Sequence, residues 1–318
     1  MDDRRPGHPR LDPAAVRRLL PDADFRPRHA LSQNFLADVE VLERILDEAS
    51  PAPGRRILEI GPGLGILTGG LLDAGTSVTA VELDSRLAER LRERFAGQLL
   101  AGEAEPGAPG SLRLIEGDAL DQDLVSLVSP PYEVVANLPY HITSPILHAL
   151  LGKGPRPERL VLMVQREVAE RIAARPGEMS YLSVFVQYHA SARIAFLVPR
   201  AAFEPQPDVE SALIVLEPRQ SGAAASGIQG GRLPASEEDD FWRLVQAAFR
   251  ERRKMLKNVL VRQLPVEPAR LEFALVANGI DGDRRPQTLS VEEWLGLYGS
   301  LGAVGPDVRG RRAEHARA

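Results

Sequence analysis

Cysteine is absent from all 318 residues of this chain, which excludes disulfides, thiolate metal sites and cysteine nucleophiles. Long hydrophobic runs are also missing. No apolar stretch approaches the ~20 residues of a membrane span, and Met1 to Pro6 lack the apolar core of a signal peptide. We therefore predict a cytoplasmic protein with no membrane segment. The chain has no surplus of positive charge either: its net charge is -5, so a nucleic-acid-binding surface would have to be a local cluster.

The composition is that of a globular protein, with 44% hydrophobic and 26% charged residues. A chain of this length buries at least one full core and has room for a second, smaller domain. Strand and helix patterns alternate first and helical patterns follow, which predicts an α/β domain and then a small helical domain. The predicted divisions are an N-terminal extension with a short helix at 1–30, the α/β domain at 31–218, a linker rich in Gly, Ala and Ser at 219–236, the helical domain at 237–304 and a disordered tail at 305–318.

The α/β pattern is organised around a glycine-rich loop, Glu59 to Gly65. The apolar run from Arg56 to Leu58 predicts a strand before the loop, and a helical pattern starts after it at Ile66. Glycine is needed in such a turn where φ is positive, or where a Cβ would keep a ligand from the helix N-terminus. The spacing is G-x-G-x-G, and Ile66 occupies the position that would complete the dinucleotide fingerprint. The loop therefore favours a nucleoside cofactor without phosphates, such as S-adenosylmethionine, and a plain tight βα turn is the alternative.

Acidic residues follow the next two predicted strands. Glu82 follows the strand from Ser77 to Val81, where a carboxylate can accept hydrogen bonds from both hydroxyls of a ribose. Asp118 follows the strand from Leu112 to Ile115 and is placed to accept a hydrogen bond from an exocyclic adenine amine. Capping of the next helix is the alternative for Glu82 and Asp118. Capping is also the better explanation of the nearby Asp84. Polar groups at successive strand ends favour one shared ligand crevice.

The tetrapeptide Asn137-Leu138-Pro139-Tyr140 follows the fourth predicted strand and carries the predicted chemistry. The exocyclic amine of adenine is a poor nucleophile because its lone pair is delocalised into the ring. An asparagine oxygen and a backbone carbonyl can each accept one N6–H and direct the lone pair at a methyl sulfonium, so we predict that Asn137 and Leu138 are catalytic. Tyr140 offers a face on which the extruded base can stack. Positioning supplies most of the acceleration, and no metal or strong base is required. The alternative is a proline turn with a buried tyrosine.

Phe203 stands at the start of a rigid, proline-bearing segment that runs to Ser211. Its ring could cover the other face of the extruded base, so we predict it as a fourth catalytic residue. A place in the core is the ordinary alternative for a single phenylalanine.

Positive charge is concentrated in the C-terminal third. Phe241 to Leu260 is predicted to be one amphipathic helix, and two shorter helices are predicted at 268–278 and 291–298. The charged residues from 250 to 257 are cationic except for Glu251: Arg250, Arg252, Arg253, Lys254 and Lys257. Such a one-signed surface in an acidic protein is typical of phosphate binding, and a solvated helix face is the alternative.

These motifs resemble, in order, those of the small-subunit (16S) ribosomal RNA adenine dimethyltransferases, also called dimethyladenosine transferases. The resemblance runs from about Leu31 to Leu297. It rests on Gln33 to Leu36, Glu59 to Gly65, Val81 to Asp84, Gly117 to Ala119, Asn137 to Tyr140, Phe203 to Ser211 and Arg252 to Lys254. It implies a Rossmann-like class I S-adenosylmethionine-dependent methyltransferase domain with a small C-terminal α-helical domain that binds rRNA.

The resemblance also implies a reaction and its partners. Methyl groups would pass from S-adenosylmethionine to N6 of two adjacent adenines in a 3′-terminal hairpin loop of small-subunit rRNA, giving N6,N6-dimethyladenosine during ribosome biogenesis. We expect a monomer that acts on rRNA within an assembling 30S particle. With Gly63 from the glycine loop, the cofactor contacts so assigned are Asn34, Leu36, Gly61, Glu82, Asp118 and Asn137. Tyr140 and Phe203 would stack the target adenine.

Three alternative functions fit the motifs less well. Relatives that methylate large-subunit rRNA more often carry Ile at the position of Leu138. A binding factor without catalysis is disfavoured because the polar residues of the predicted site are intact, and a DNA adenine methyltransferase more often has two prolines after its Asp or Asn. The chain departs from the family pattern at Ser32, where Gly is usual, and in an insertion at 97–110 that is longer than typical.

Overall fold

A computed structural model describes residues 12–20, 33–100, 107–219, 233–302 and 304. Several predictions concern residues outside these ranges. They are those for Ser32, for residues 101–106 of the insertion, for most of the linker and for the tail at 305–318. No helix in the described ranges combines the length and the apolar character that a membrane crossing needs.

The sheet of the described residues is mixed and has seven strands in the order β4-β3-β2-β5-β6-β9-β7, and a separate pair joins β1 to β8. The strands are β1 (Phe35–Leu36), β2 (Arg56–Ile60), β3 (Ser77–Glu82), β4 (Leu112–Glu116), β5 (Glu133–Asn137), β6 (Leu160–Gln165), β7 (Ala190–Val198), β8 (Phe203–Glu204) and β9 (Ser211–Pro218). Strands β2 to β6 run parallel, and β9 is antiparallel to β6. Strands buried on both faces read as continuous apolar runs, as β6 does. The predicted Rossmann-like α/β fold is confirmed.

The described residues also form eleven α-helices, several of which begin at a capping residue. They are α1 (Pro13–Leu19), α2 (Val39–Ala49), α3 (Ile66–Asp73), α4 (Ser85–Arg94), α5 (Thr143–Gly152), α6 (Arg166–Ile172), α7 (Tyr181–His189), α8 (Ala235–Phe249), α9 (Leu256–Gln263), α10 (Pro268–Ala277) and α11 (Val291–Leu301). Asp38 caps α2 by accepting hydrogen bonds from the N–H groups of Glu40 and Val41. Ser290 and Glu293 form a capping box at the start of α11.

The described residues divide into two compact units, each with its own apolar core. The first unit contains the residues up to Glu170 and Ala192–Pro218, and the second contains Arg171–Ser191 and the residues from Arg219 on. The sequence analysis placed residues 171–191 in the first domain. They group with the C-terminal helices because Val184 and Tyr188 of α7 are buried in the second core.

The predicted single helix from Phe241 to Leu260 is wrong in its middle. Helix α8 ends at Phe249, helix α9 begins at Leu256, and residues 250–255 form a turn between them. A continuous helix would need an apolar residue on its buried side in this stretch, and the chain offers exposed cations there instead. The buried pattern resumes only at Leu256, whose N–H donates to the carbonyl of Arg284 at 2.8 Å.

Candidate functional site

An open cavity of the first unit lies where the carboxyl ends of neighbouring strands β2 to β6 meet. Strand β3, which follows β2 in the chain, lies on one side of β2, and β5 lies on its other side. The strand order therefore reverses between β2 and β5, which is where open α/β sheets bind their ligands. The glycine loop follows β2 and the Asn137 tetrapeptide follows β5, so both motifs reach this point.

Nine of the ten residues predicted as cofactor-binding or catalytic line this cavity. They are Asn34, Leu36, Gly61, Gly63, Glu82, Asp118, Asn137, Leu138 and Tyr140. These residues come from five separate stretches of the chain, and the parallel sheet brings them together.

The glycine loop is fixed by packing as well as by conformation. Gly61, Gly63 and Gly65 have φ values of 69°, 59° and 73°, which L side chains rarely adopt. A Cβ on Gly65 would lie 2.6 Å from the ring of Phe95 and 2.7 Å from Leu91. The last glycine is therefore required by the packing of α4, whereas the first two line the cavity.

Glu82 is buried at the end of β3 and holds the loop in place. Its Oε2 accepts a hydrogen bond from the N–H of Gly63 at 2.9 Å, and its Oε1 accepts one from the N–H of Asp84 at 2.9 Å. Burial raises the pKa of the Glu82 carboxyl. Asp84 caps α4 through the N–H of Arg86, as predicted. Glu82 is therefore not a helix cap, and its carboxylate lies between the glycine loop and the cavity.

The position of Asp118 is compatible with both roles that the sequence left open, a helix cap and a hydrogen-bond acceptor for a ligand. Its Oδ1 accepts a hydrogen bond from the N–H of Leu120 at 2.8 Å and so caps a short 3-10 turn. Its Oδ2 has no hydrogen-bond partner in the described part of the chain, and the residue lines the cavity. One oxygen is used for structure and the other is left for a ligand donor.

The Asn137 tetrapeptide is held in place by residues distant in sequence. The Asn137 Nδ2 donates to the carbonyl of Asn34 at 3.3 Å, which leaves its Oδ1 as the acceptor. The N–H of Leu138 donates to the carbonyl of Met163 at 3.1 Å. The Tyr140 hydroxyl hydrogen-bonds the hydroxyl of Ser211 at 2.8 Å, and burial raises the pKa of this tyrosine. The amide and the ring therefore have fixed orientations.

Sequence reasoning missed the supporting roles of Ser211 and of Glu59. Ser211 is 71 residues from Tyr140, and no local spacing connects them. Glu59 lines the cavity but is only 1% exposed, and its Oε2 accepts a hydrogen bond from the Thr68 hydroxyl at 2.7 Å. Burial raises the pKa of Glu59 to about 8. The available signal was an acidic residue inside an otherwise apolar strand.

Phe203 is the predicted site residue that the structure does not bring to the cavity. It is 1% exposed, it pairs with Leu36 across β1 and β8, and its side chain belongs to the core of the first unit. Its buried position does not support the predicted stacking of a base on its ring. The ordinary alternative, a core phenylalanine, describes its surroundings.

The predicted RNA-binding residues lie in the turn between α8 and α9 and in the first turn of α9. Arg252, Arg253 and Lys254 are exposed, and their side chains have no hydrogen bond or ion pair with any described residue. Lys257 is different, because it pairs with Asp283 at 2.6 Å. Arg250 hydrogen-bonds the side chain of Gln263. Three of the five cations are therefore available to a phosphate.

A sequence model of the family described as "Ribosomal RNA adenine dimethylase" matches residues 24–301. The chain belongs to this family. The resemblance seen in the sequence is thereby confirmed. The "Ribosomal RNA small subunit methyltransferase A" of Geobacter sulfurreducens is 41% identical, with 88% of this chain and 97% of that protein covered. The protein of the same name from Moorella thermoacetica is 38% identical, with 91% of this chain and 97% of that protein covered.

Solved structures agree with the fold of this chain. A dimethyladenosine transferase from Plasmodium falciparum superposes with a TM-score of 0.66 at 25% identity, over 85% of this chain and 98% of that one. The 23S rRNA methyltransferase ErmE superposes with a TM-score of 0.64 at 29% identity, over 84% of this chain and 99% of that one. Both superpositions extend over most of the chain.

S-adenosylmethionine is the methyl donor of an rRNA adenine dimethylase, and the charge of the cavity fits it. No lysine or arginine of the described ranges lines the cavity, whereas the acidic residues Glu82 and Asp118 do. A phosphate-bearing nucleotide would be repelled by such a lining, and a cationic sulfonium without phosphates is attracted. The acceptors left on Glu82 and Asp118 suit a ribose and an adenine amine.

Proposed function

We propose that this protein transfers methyl groups from S-adenosylmethionine to N6 of two adjacent adenines in a 3′-terminal hairpin loop of small-subunit rRNA, giving N6,N6-dimethyladenosine during ribosome biogenesis. Its substrate is the rRNA within an assembling 30S particle. It acts there as a monomer in the cytoplasm. Family membership and relatives named as small-subunit methyltransferases support this substrate.

One observation carries the chemistry: Asn137 lies at the cavity with its amide nitrogen engaged and its oxygen available. S-adenosylmethionine, when bound, supplies a methyl group on a positively charged sulfur. Asn137 Oδ1 and the carbonyl of Leu138 accept the two N6–H groups of the target adenine. The amine nitrogen is thereby drawn toward a tetrahedral geometry, and its lone pair becomes available to the methyl carbon. As the N–C bond forms, the methyl–sulfur bond would break to leave a neutral thioether, and N6 would lose one proton to water.

The remaining residues of the cavity bind and orient. Glu82 receives the ribose hydroxyls and Asp118 receives the adenine amine of the cofactor, while Asn34, Leu36, Gly61 and Gly63 complete its surroundings. Tyr140, whose ring is oriented through Ser211, stacks the extruded target base.

We assign rRNA binding to the second unit. Arg252, Arg253 and Lys254 are exposed at the turn that precedes α9, and they have no acidic partner in the described part of the chain. Free cations of this kind bind phosphates and release counterions on association. In a protein with a net charge of -5, they form a local site for a polyanion.

The test is methyl transfer from labelled S-adenosylmethionine to undermethylated small subunits, to naked small-subunit rRNA, to large subunits and to plasmid DNA. Nuclease digestion then identifies the product. We expect N6,N6-dimethyladenosine from small subunits alone. Label on naked rRNA at the same rate would contradict the particle as substrate. Label in large subunits would instead indicate methylation of 23S rRNA, the activity named for ErmE. The structure of ErmE superposes with a TM-score close to that of the dimethyladenosine transferase.

A further inference from the structure

Two residues that precede β1, Gln33 and Asn34, form hydrogen bonds to the ends of two different strands of the sheet. The Gln33 Nε2 donates to Oδ2 of Asp84 at 3.3 Å, just after the end of β3. The carbonyl of Asn34 accepts the hydrogen bond from Nδ2 of Asn137 at 3.3 Å, at the last residue of β5. We call Gln33 and Asn34 together the bridge.

The bridge connects these strands across the glycine loop. Strands β3 and β5 are the two neighbours of β2 in the sheet, so they are about 10 Å apart. The glycine loop follows β2 and lies between them. Phe35, the residue after the bridge, packs on this loop, since a Cβ on Gly63 would lie 3.2 Å from its ring. Both residues of the bridge line the cavity, so they form part of its wall.

The chain is held on both sides of Asn34. On the C-terminal side, β1 pairs with β8, and the N–H of Ala37 donates to the carbonyl of Ala202 at 2.8 Å. On the N-terminal side, the Gln33 side chain holds the backbone through Asp84. The position of the Asn34 carbonyl therefore depends on the hydrogen bond that Gln33 makes.

Asp84 is a fixed anchor for the bridge. It is buried, its N–H donates to Oε1 of Glu82 at 2.9 Å, and its Oδ1 accepts the N–H of Arg86 at 3.1 Å. Burial alone would raise the pKa of Asp84, but hydrogen bonds from Arg86 and Gln33 outweigh burial and hold the pKa below its usual range. The acceptor of Gln33 is therefore a carboxylate, and a hydrogen bond to a charged group is stronger than one between neutral groups.

We propose that Gln33 is a positioning residue for methyl transfer. Its bond to Asp84 places the carbonyl of Asn34, and that carbonyl orients the Asn137 amide. The oxygen and nitrogen of this amide share one planar group, so a displaced nitrogen turns the oxygen away from the reacting amine. Because Asp84 also donates to Glu82, these hydrogen bonds connect the carboxylate assigned to the cofactor ribose with the amide assigned to the target base. The inference rests on the proposed function, which assigns Asn137 Oδ1 to that amine.

The first test replaces the donor. Gln33→Met keeps the length of the side chain and removes its hydrogen bond. Gln98→Met is the matched control, because Gln98 is an exposed glutamine of the first unit that does not line the cavity. We expect Gln33→Met to lower the rate of single-turnover methyl transfer to undermethylated small subunits about tenfold, since a displaced catalytic group loses part of its positioning effect. The affinity for S-adenosylmethionine, measured by calorimetry, should change much less, and Gln98→Met should resemble wild type in both quantities.

A double-mutant cycle shows whether Gln33 acts through Asn137. In the Asn137→Ala background there is no amide left to orient, so Gln33→Met should lower the rate no further. The same loss in both backgrounds would show that Gln33 only supports the fold of the cavity, and it would overturn the inference. A wild-type rate in Gln33→Met would overturn it as well.

A second readout needs neither cofactor nor RNA. The side-chain amide signal of Asn137 in the NMR spectrum of the free protein is assigned by its loss in Asn137→Ala. In Gln33→Met its hydrogens should exchange faster with water, because the Asn34 carbonyl is no longer held in place, and an unchanged signal would contradict the inference. If the wild type methylated a nucleic acid other than small-subunit rRNA, the proposed function would fail, whereas this signal would still test the bridge.

Discussion

Asn137 is oriented by the hydrogen bond that its Nδ2 donates to the carbonyl of Asn34. Its Oδ1 is the atom assigned to the reacting amine. We expect Asn137→Ala to lower kcat about a hundredfold or more, because it removes an acceptor that acts mainly on the reacting group. The affinity for S-adenosylmethionine should change by no more than a few fold. Single-turnover methyl transfer and calorimetric titration of the cofactor measure the two quantities.

Tyr140→Phe provides the comparison for this variant. It keeps the stacking ring and removes only the hydrogen bond to Ser211. Its kcat should therefore lie between those of wild type and Asn137→Ala. If Asn137→Ala lost cofactor affinity and kcat to the same degree, Asn137 would be a cofactor contact and the proposed division of roles would be wrong.

Glu59 gives the protein a pH-dependent stability. Burial raises its pKa to about 8, well above the value in an unfolded chain. A carboxyl with a raised folded-state pKa contributes stability that is fully present below the unfolded pKa. That contribution is lost as pH rises toward 8, at up to about 1.4 kcal/mol per pH unit. Wild-type unfolding free energy should fall accordingly between about pH 5 and pH 8.

The isosteric variant Glu59→Gln isolates this effect. Its amide oxygen can still accept the hydrogen bond from Thr68, and it does not titrate. The variant should gain stability relative to wild type as pH rises through this window, as recorded by urea unfolding. Both proteins keep Glu82, whose pKa burial also raises, so the difference reports on Glu59 together with its coupling to Glu82. A difference that did not vary with pH would show that Glu59 is already ionised in the folded protein.

At the scale of elements, the sequence is most informative where one local rule decides. The apolar runs and the glycine loop predict the first strands of the sheet, and Asp84 predicts the start of α4. The break between α8 and α9 was missed because positive charge was taken as one helix face, although the buried pattern stops at Phe249. The buried place of Phe203 and the contact between Tyr140 and Ser211 depend on long-range packing, which no local spacing encodes.

The turn between α8 and α9 gives an element-scale prediction. Arg252→Ala combined with Arg253→Ala should weaken binding to small subunits and lower the slope of log Kd against log salt by about 1.5, because two phosphate contacts are lost. Filter binding over a salt series measures the slope. Arg243→Ala is the matched control, since Arg243 is an exposed arginine of the same unit that pairs with Asp240. A slope equal to that of wild type would place the turn outside the interface.

At the scale of the whole molecule, each unit has its own reporter. The chain has two tryptophans, Trp242 and Trp294, and both belong to the second unit, whereas the cofactor cavity is built by the first. Tryptophan fluorescence therefore reports on the second unit alone. Amide exchange in β2, β3 and β5 reports on the strands that carry the cavity.

S-adenosylmethionine at about 100 times its Kd should raise the free energy of exchange in these strands by about 2.7 kcal/mol, because it binds only the folded cavity. Asp118→Asn keeps the cap on Leu120 through its Oδ1 but replaces the acceptor assigned to the adenine amine. A tenfold loss of affinity would leave about 1.4 kcal/mol at the same concentration. Native tryptophan fluorescence would show that the second unit is unaffected by this variant. Full protection in Asp118→Asn would mean that Asp118 only caps its turn and that the adenine amine binds elsewhere.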